Sequence, residues 1–259
     1  MKPAMSNPST IPAGTRSATE VIRDARVSQA PNGVCYATAG ETAVATSDLE
    51  RLAGTVPVAI AAALKNKAYY FVPLTISDGD DTFVSERYDV ALSDRATCHR
   101  NVNAGAAQCV FISTRLMDDK FSVAFEFFIN VGHAFVETAG VSDEFARLVW
   151  KQVEQGVKGE TSMDAHDLRH QAVAKSTDPG STVRVLDERA KTSYLNAAFS
   201  DAIAVYMLAL HLDVDYWDLR EREYPLLAPQ ALAERLKKIA ELFPPNPGYE
   251  FNIFYRRRS

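Results

Sequence analysis

The stretch from Phe121 to Ala139, FSVAFEFFINVGHAFVETA, constrains the fold more than any other part of this chain. It is nearly all apolar, yet it carries Glu126, Asn130, His133 and Glu137. At about 100° per residue these positions fall within roughly 60° of one another on a helix. They form one polar line along a rod whose other faces are Phe, Val, Ile and Ala. Ionisable groups on a buried helix are costly unless they are paired, hydrogen-bonded or bound to a metal. A His and a Glu one helical turn apart can both reach one ion. The line therefore has two readings: a site, or a solvated stripe on a one-sided helix.

The 259 residues are 47% hydrophobic and 24% charged, which is ordinary for a globular protein and enough for a substantial core. We read a disordered N-terminus over residues 1–17, rich in Pro, Ser and Thr, followed by a single domain over 18–259. Ser17 and Glu20 stand in capping-box spacing where order is expected to begin. A net charge of −5 argues against nucleic-acid binding, since the one dense basic run is Arg256 to Arg258 at the C-terminus. Cys35, Cys98 and Cys109 fit neither a zinc-finger spacing nor a disulfide framework, so a reducing, cytoplasmic location is expected. No run of about eighteen apolar residues suggests a membrane helix. The N-terminus lacks the apolar core of a cleaved signal, which leaves export without a cleaved signal peptide as the alternative location.

Hydrophobic periodicity predicts a helix over Ser47–Lys67, interrupted at Pro57, and another over Val141–Val157. Tyr69–Ile76, Phe83–Leu92 and Gln108–Ser113 read as strands, with Pro73 marking an edge or bulge in the first. A polar stretch, KGETSMDAHDLRHQAVAKSTDPGST, follows the Val141–Val157 helix and carries a turn signal at Asp178-Pro179-Gly180. Ser193–Leu212 is a strongly apolar helix and Leu226–Leu242 a further one. A small N-terminal sheet followed by a mainly helical part is the α+β class.

Two His-centred motifs carry chemistry. HAFVE, His133 to Glu137, and HDLRH, His166 to His170, each place their end residues one turn apart, as ligands of a tetrahedral zinc require. A hydrolytic zinc site adds a third ligand, an open water position and a carboxylate that takes a proton from that water. In HExxH the carboxylate directly follows the first His. HDLRH offers both imidazoles and puts Asp167 in the base position, although Asp is one methylene shorter than Glu. HAFVE has apolar surroundings but Ala134 where the base would stand.

The order of elements, a strand written VFIST, the His-bearing apolar helix and the later helix YLNAAFSDAIAVYML, resembles the zincin metallopeptidases, the compact gluzincins above all. Ser200, Asp201, Ala204 and Tyr206 match the later part of that family's second motif, while Ala197 stands in place of its Glu ligand. His133 matches the first zinc His, and Ala134 and Glu137 depart from the motif. The resemblance, which covers Ser47 to Leu212, implies a zincin-like layout and a metal-dependent, peptidase-like protein, either catalytically degenerate or with its site rebuilt from other residues such as His166, His170 and Asp201. It implies zinc as the cofactor and a peptide or protein as substrate or partner. His133, Glu137, His166, His170 and Asp201 are then the candidate metal ligands and Asp167 the candidate catalytic base. One alternative is a non-catalytic peptide- or protein-binding module on the same scaffold. Another is an HD-type metal-dependent phosphohydrolase, since His133, His166-Asp167 and Asp201 occur in the order those enzymes show.

Overall fold

The computed structural model describes residues 13–117, 119–175, 183–185, 187–219 and 225–253. They divide into two compact units, Met1–Gly54 with Lys65–Glu126, and Thr55–Leu64 with Phe127–Ser259. The chain is α+β, with the sheets early and the later part mainly helical.

Order in the first unit starts before Ala18. Strand β1 (Thr15–Ser17) pairs antiparallel with residues 83–85, and Ser17 then caps α1 (Ala18–Asp24). The capping box is complete: the Ser17 hydroxyl accepts from the Glu20 amide, and the Glu20 carboxylate accepts from the Ser17 amide at 3.0 Å. The rest of the expected N-terminal tail, up to residue 12, lies outside the described residues. Two short strands follow, β2 (Ser28–Gln29) and β3 (Cys35–Thr38), and then α2 (Thr46–Thr55).

The predicted helix over Ser47–Lys67 is two helices. Pro57 has no N–H to continue the first, and it serves instead as N-cap of α3 (Val58–Ala61), which belongs to the second unit. The predicted strand over Tyr69–Ile76 also divides at a proline. Pro73 separates β4 (Lys67–Val72) from β5 (Leu74–Asp78), and the two strands lie in different sheets. Next, β6 (Asp81–Ser85) ends well short of the predicted Leu92. The chain turns there into α4 (Val90–Ser93), capped by the Asp89 carboxylate on the Ala91 amide at 2.9 Å. Then come β7 (Ala96–Thr97), β8 (His99–Ala104) and β9 (Ala107–Ser113).

One sheet has the order β2-β3-β4-β9-β8, with β3, β4 and β9 parallel and the outer pairs antiparallel. The other is antiparallel, in the order β1-β6-β5-β7. The continuous apolar run of β4 fits a strand covered on both faces, as a parallel centre requires. Val21 of α1, Tyr70 and Val72 of β4, Val84 of β6 and Phe111 of β9 close the core of this unit.

Helix α5 (Lys120–Ala139) matches the expected apolar helix and carries the chain into the second unit after Glu126. There follow α6 (Asp143–Glu154), α7 (Met163–Ala172), the antiparallel backbone pair β10 (Val173–Lys175) and β11 (Val183–Val185), α8 (Glu188–His211) and α9 (Pro229–Leu242). The predicted turn at Asp178-Pro179-Gly180 lies outside the described residues. Phe135 of α5, Phe145 of α6, Phe199 of α8 and Phe243 beyond α9 meet edge to face or tilted, at centroid distances from 4.7 to 6.3 Å. Among the described residues α8 alone is long and apolar enough to cross a membrane, and 72% of its apolar window is buried, as in a core helix.

Candidate functional site

The polar line on α5 does not act as a unit. Glu126 belongs to the first unit, where its carboxylate meets Nδ1 of His99 on β8 at 2.5 Å. Asn130 is buried among the apolar residues. His133 and Glu137 are exposed and belong to the second unit, where they face the groove described below. Ala134, next to His133, is buried.

Close helix packing sets where His133 stands. Gly132 lies against α8, and a Cβ there would come within 2.6 Å of the Ser200 carbonyl oxygen. Only glycine allows the two backbones so near, and His133 and Ala197 of α8 line one groove. Helix α7 completes the arrangement. Ser162 caps it by accepting from the Ala165 amide at 3.1 Å, and the preceding Thr161 donates its hydroxyl to Asp201 of α8 at 2.9 Å.

These three helices wall a solvent-open groove of about 560 Å³. His133, Val136 and Glu137 come from α5; Asp164, Asp167, Leu168 and Gln171 from α7; Ser193, Asn196 and Ala197 from α8. Each helix contributes residues at the steps of three and four that define one helical face. The volume falls in the range of small-ligand sites, about 300–1,000 Å³. Glu137, Asp164 and Asp167 give the wall its charge, and among the described residues lining it there is no Lys or Arg.

The structure thus gathers His133, Glu137 and Asp167 around one groove, from two helices. It does not gather the whole predicted set. His166 and His170 stand beside the groove, their Nε2 atoms 3.2 Å apart, and neither lines it. Asp201 is buried beneath the start of α7, where burial pushes its carboxyl up to about 6 despite hydrogen bonds from Ser162 and Thr161. Among the described residues no group of three or more His, Cys, Asp or Glu side chains is arranged to hold a metal ion.

Asp164, Gln171, Ser193 and Asn196 escaped the sequence reading. The signal was available in part: Asp164, Asp167, Leu168 and Gln171 have amphipathic spacing once α7 is known to start at Met163.

Behind the groove lies a buried charged network that the sequence reading also missed. Glu160 and Arg235 are fully buried and bonded at 2.9 Å. The Tyr194 hydroxyl donates to Glu160 at 2.6 Å, and Arg169 of α7 reaches the same carboxylate at 2.9 Å. Arg235 also donates through Nε to Gln152 of α6 at 2.8 Å. Arg169 further donates to the carbonyls of Gly159 and Val157, so α7 is tied to the segment that precedes it. Gly159, at φ +81°, would put any Cβ within 2.2 Å of the Leu226 carbonyl, so this close backbone pairing requires glycine.

No protein-family model matches this chain, and no curated protein matches it in sequence.

Proposed function

We propose that this protein is a non-catalytic binding module whose helical unit holds cationic side chains of a peptide or protein partner in the groove between α5, α7 and α8. One observation carries this reading: Glu137, Asp164 and Asp167 converge on a groove whose described lining has no cationic side chain of its own. Carboxylates around an open cleft focus a negative potential that attracts cations. Asn196 and Gln171 supply neutral hydrogen-bonding groups beside them, and Val136, Leu168 and Ala197 an apolar floor for the methylenes of a Lys or Arg. An Arg guanidinium gains most, because its planar fork can engage a carboxylate bidentately. Ala134 stands buried where a HExxH peptidase has its general base, which favours binding over turnover.

Fluorescence anisotropy with a short labelled Arg-rich peptide tests the reading against an acidic peptide of equal length. The basic peptide should bind, and binding should weaken with salt. The double variant Glu137→Gln/Asp164→Asn should weaken it by at least about tenfold, equivalent to ~1.4 kcal/mol. Equal binding of both peptides, or no change in the double variant, overturns the proposal.

A second reading, a metal-dependent and peptidase-like role at the same groove, rests on one feature: His133, Glu137 and Asp167, drawn from both His-centred motifs, line it together, although they are not arranged as a three-ligand set. Chelator-sensitive cleavage of unfolded peptides by the unmodified chain, lost in His133→Ala, would select it.

A further inference from the structure

HDLRH leaves a pair of imidazoles that the groove does not use. His166 and His170 lie one turn apart on α7, their ring centroids 4.5 Å apart and their planes at 72°. Their Nε2 atoms approach to 3.2 Å. The His166 side chain is 25% exposed and His170 is exposed, so an ion reaches both from solvent. On the far side of the first ring, Asp167 Oδ1 lies 3.3 Å from His166 Nδ1.

We propose that His166 and His170 form a bidentate site for a borderline divalent metal ion, such as zinc, nickel or copper, with Asp167 as the positioning residue of the first imidazole. The spacing fits. An ion bound to two imidazole nitrogens at about 2.0–2.1 Å in tetrahedral geometry holds them about 3.3 Å apart. The carboxylate fits as well. By accepting the Nδ1–H of His166 it fixes the tautomer whose Nε2 carries a lone pair. In the metal-free chain one Nε2–H donates to the other ring, from His170 to His166 in this tautomer. Binding requires His170 to move its proton to Nδ1 through solvent, after which both Nε2 lone pairs face the ion and no net proton is released. Imidazole donors select borderline metals over magnesium and calcium, which take oxygen ligands. The remaining coordination positions fall to water or to a donor from a partner.

The two imidazoles are separable from the groove, because neither lines it, whereas Asp167 belongs to both. Calorimetric titration of zinc into the metal-free full chain, with magnesium and calcium as controls, tests it. One zinc per chain should bind, and magnesium and calcium should not compete. His166→Ala and His170→Ala should each abolish binding, and Asp167→Asn should weaken it by about tenfold, the lower end of the loss seen for such outer partners. A thermal melt gives a second readout. Saturating zinc should raise the Tm of the unmodified chain but not of His170→Ala, whose melt in chelator should match the unmodified chain's. Zinc bound equally by the unmodified chain and His170→Ala, or by neither, overturns the proposal. So does zinc lost in His133→Ala and kept in His170→Ala, which would move the ion to the groove.

Discussion

The interior network around Glu160 and the open groove around Asp164 and Asp167 use the same two helices in opposite ways. Helix α7 sends Arg169 inward to Glu160 and turns Asp164 and Asp167 outward to the groove. Helix α8 sends Tyr194 inward to the same carboxylate, while its neighbours Ser193 and Asn196 face the groove. Inside, each charge is withdrawn from water and met by a partner of opposite sign or a hydroxyl. Outside, carboxylates share one open wall. A buried charge without its partner is expensive, whereas a solvated one costs little. The inward set therefore fixes how the helices pack, and the outward set is available for recognition.

The largest expected effect comes from breaking the inward set. Glu160→Gln leaves Arg235 buried opposite a neutral amide. Removing one member of a buried pair costs about 3–5 kcal/mol. At about 2–4 °C per kcal/mol for a chain of this size, the Tm should fall by roughly 6–20 °C. Replacing Glu160 and Arg235 together with Leu should cost less than the single change, since no charge is then stranded. A fall of only a degree or two for Glu160→Gln would mean that water already reaches the network, and the contrast with the groove would fail.

Asp201 gives a smaller effect with a pH signature. Its folded pKa of about 6 lies above the ordinary value near 3.9, so the fold favours the protonated form. The stability it contributes is fully present below about pH 4 and is lost as pH rises through 6. The gap corresponds to about 3 kcal/mol at most, because a unit of pKa is ~1.4 kcal/mol. Asp201→Asn removes the charge and keeps an acceptor for the Thr161 hydroxyl. It should be the more stable variant at about pH 8, with the advantage vanishing near pH 4, read from urea unfolding at both pH values. An advantage that grows toward acid would show that the carboxylate, not the acid, is the form the fold prefers.

The α+β class, the apolar helix α5 and the strand at Gln108–Ser113 were legible, because each is written in a local run of period two or 3.6. Pro57 was legible as an interruption, but Pro73 only as an edge or bulge within one strand. Pro73 carries the chain from one sheet to another, and no local pattern reports which sheet a strand will join. Helix α7 was harder, because its polar composition leaves only a faint apolar face. The Glu160 network was not legible at all. Its members, Gln152, Glu160, Arg169, Tyr194 and Arg235, are spread over four helices and a loop, and each alone looks like a surface residue. Of the candidate site residues, His133 and Glu137 were visible from the single polar line. The helix phases that bring Asp167 to the same groove, while sending His166 and His170 beside it, depend on how α7 packs.

The smallest expected effect on stability belongs to the groove, and its smallness is the point. Glu137, Asp164 and Asp167 are exposed, and exposed positions change stability by about 0.5 kcal/mol or less, although Asp164 also stands in the first turn of α7. Glu137→Gln/Asp164→Asn should therefore move the Tm by no more than about 2 °C. It relieves like-charge repulsion across the groove but gives up the favourable charge of Asp164 at the α7 N-terminus, so the two contributions oppose each other and both fade with salt. The same double change is the one expected to weaken a cationic peptide by tenfold or more. A recognition surface separates these two readouts, with binding lost and folding kept. If the double variant instead unfolds several degrees early, Glu137 and Asp164 hold the helices together. The groove would then be a seam in the packing and not the place where a partner is held.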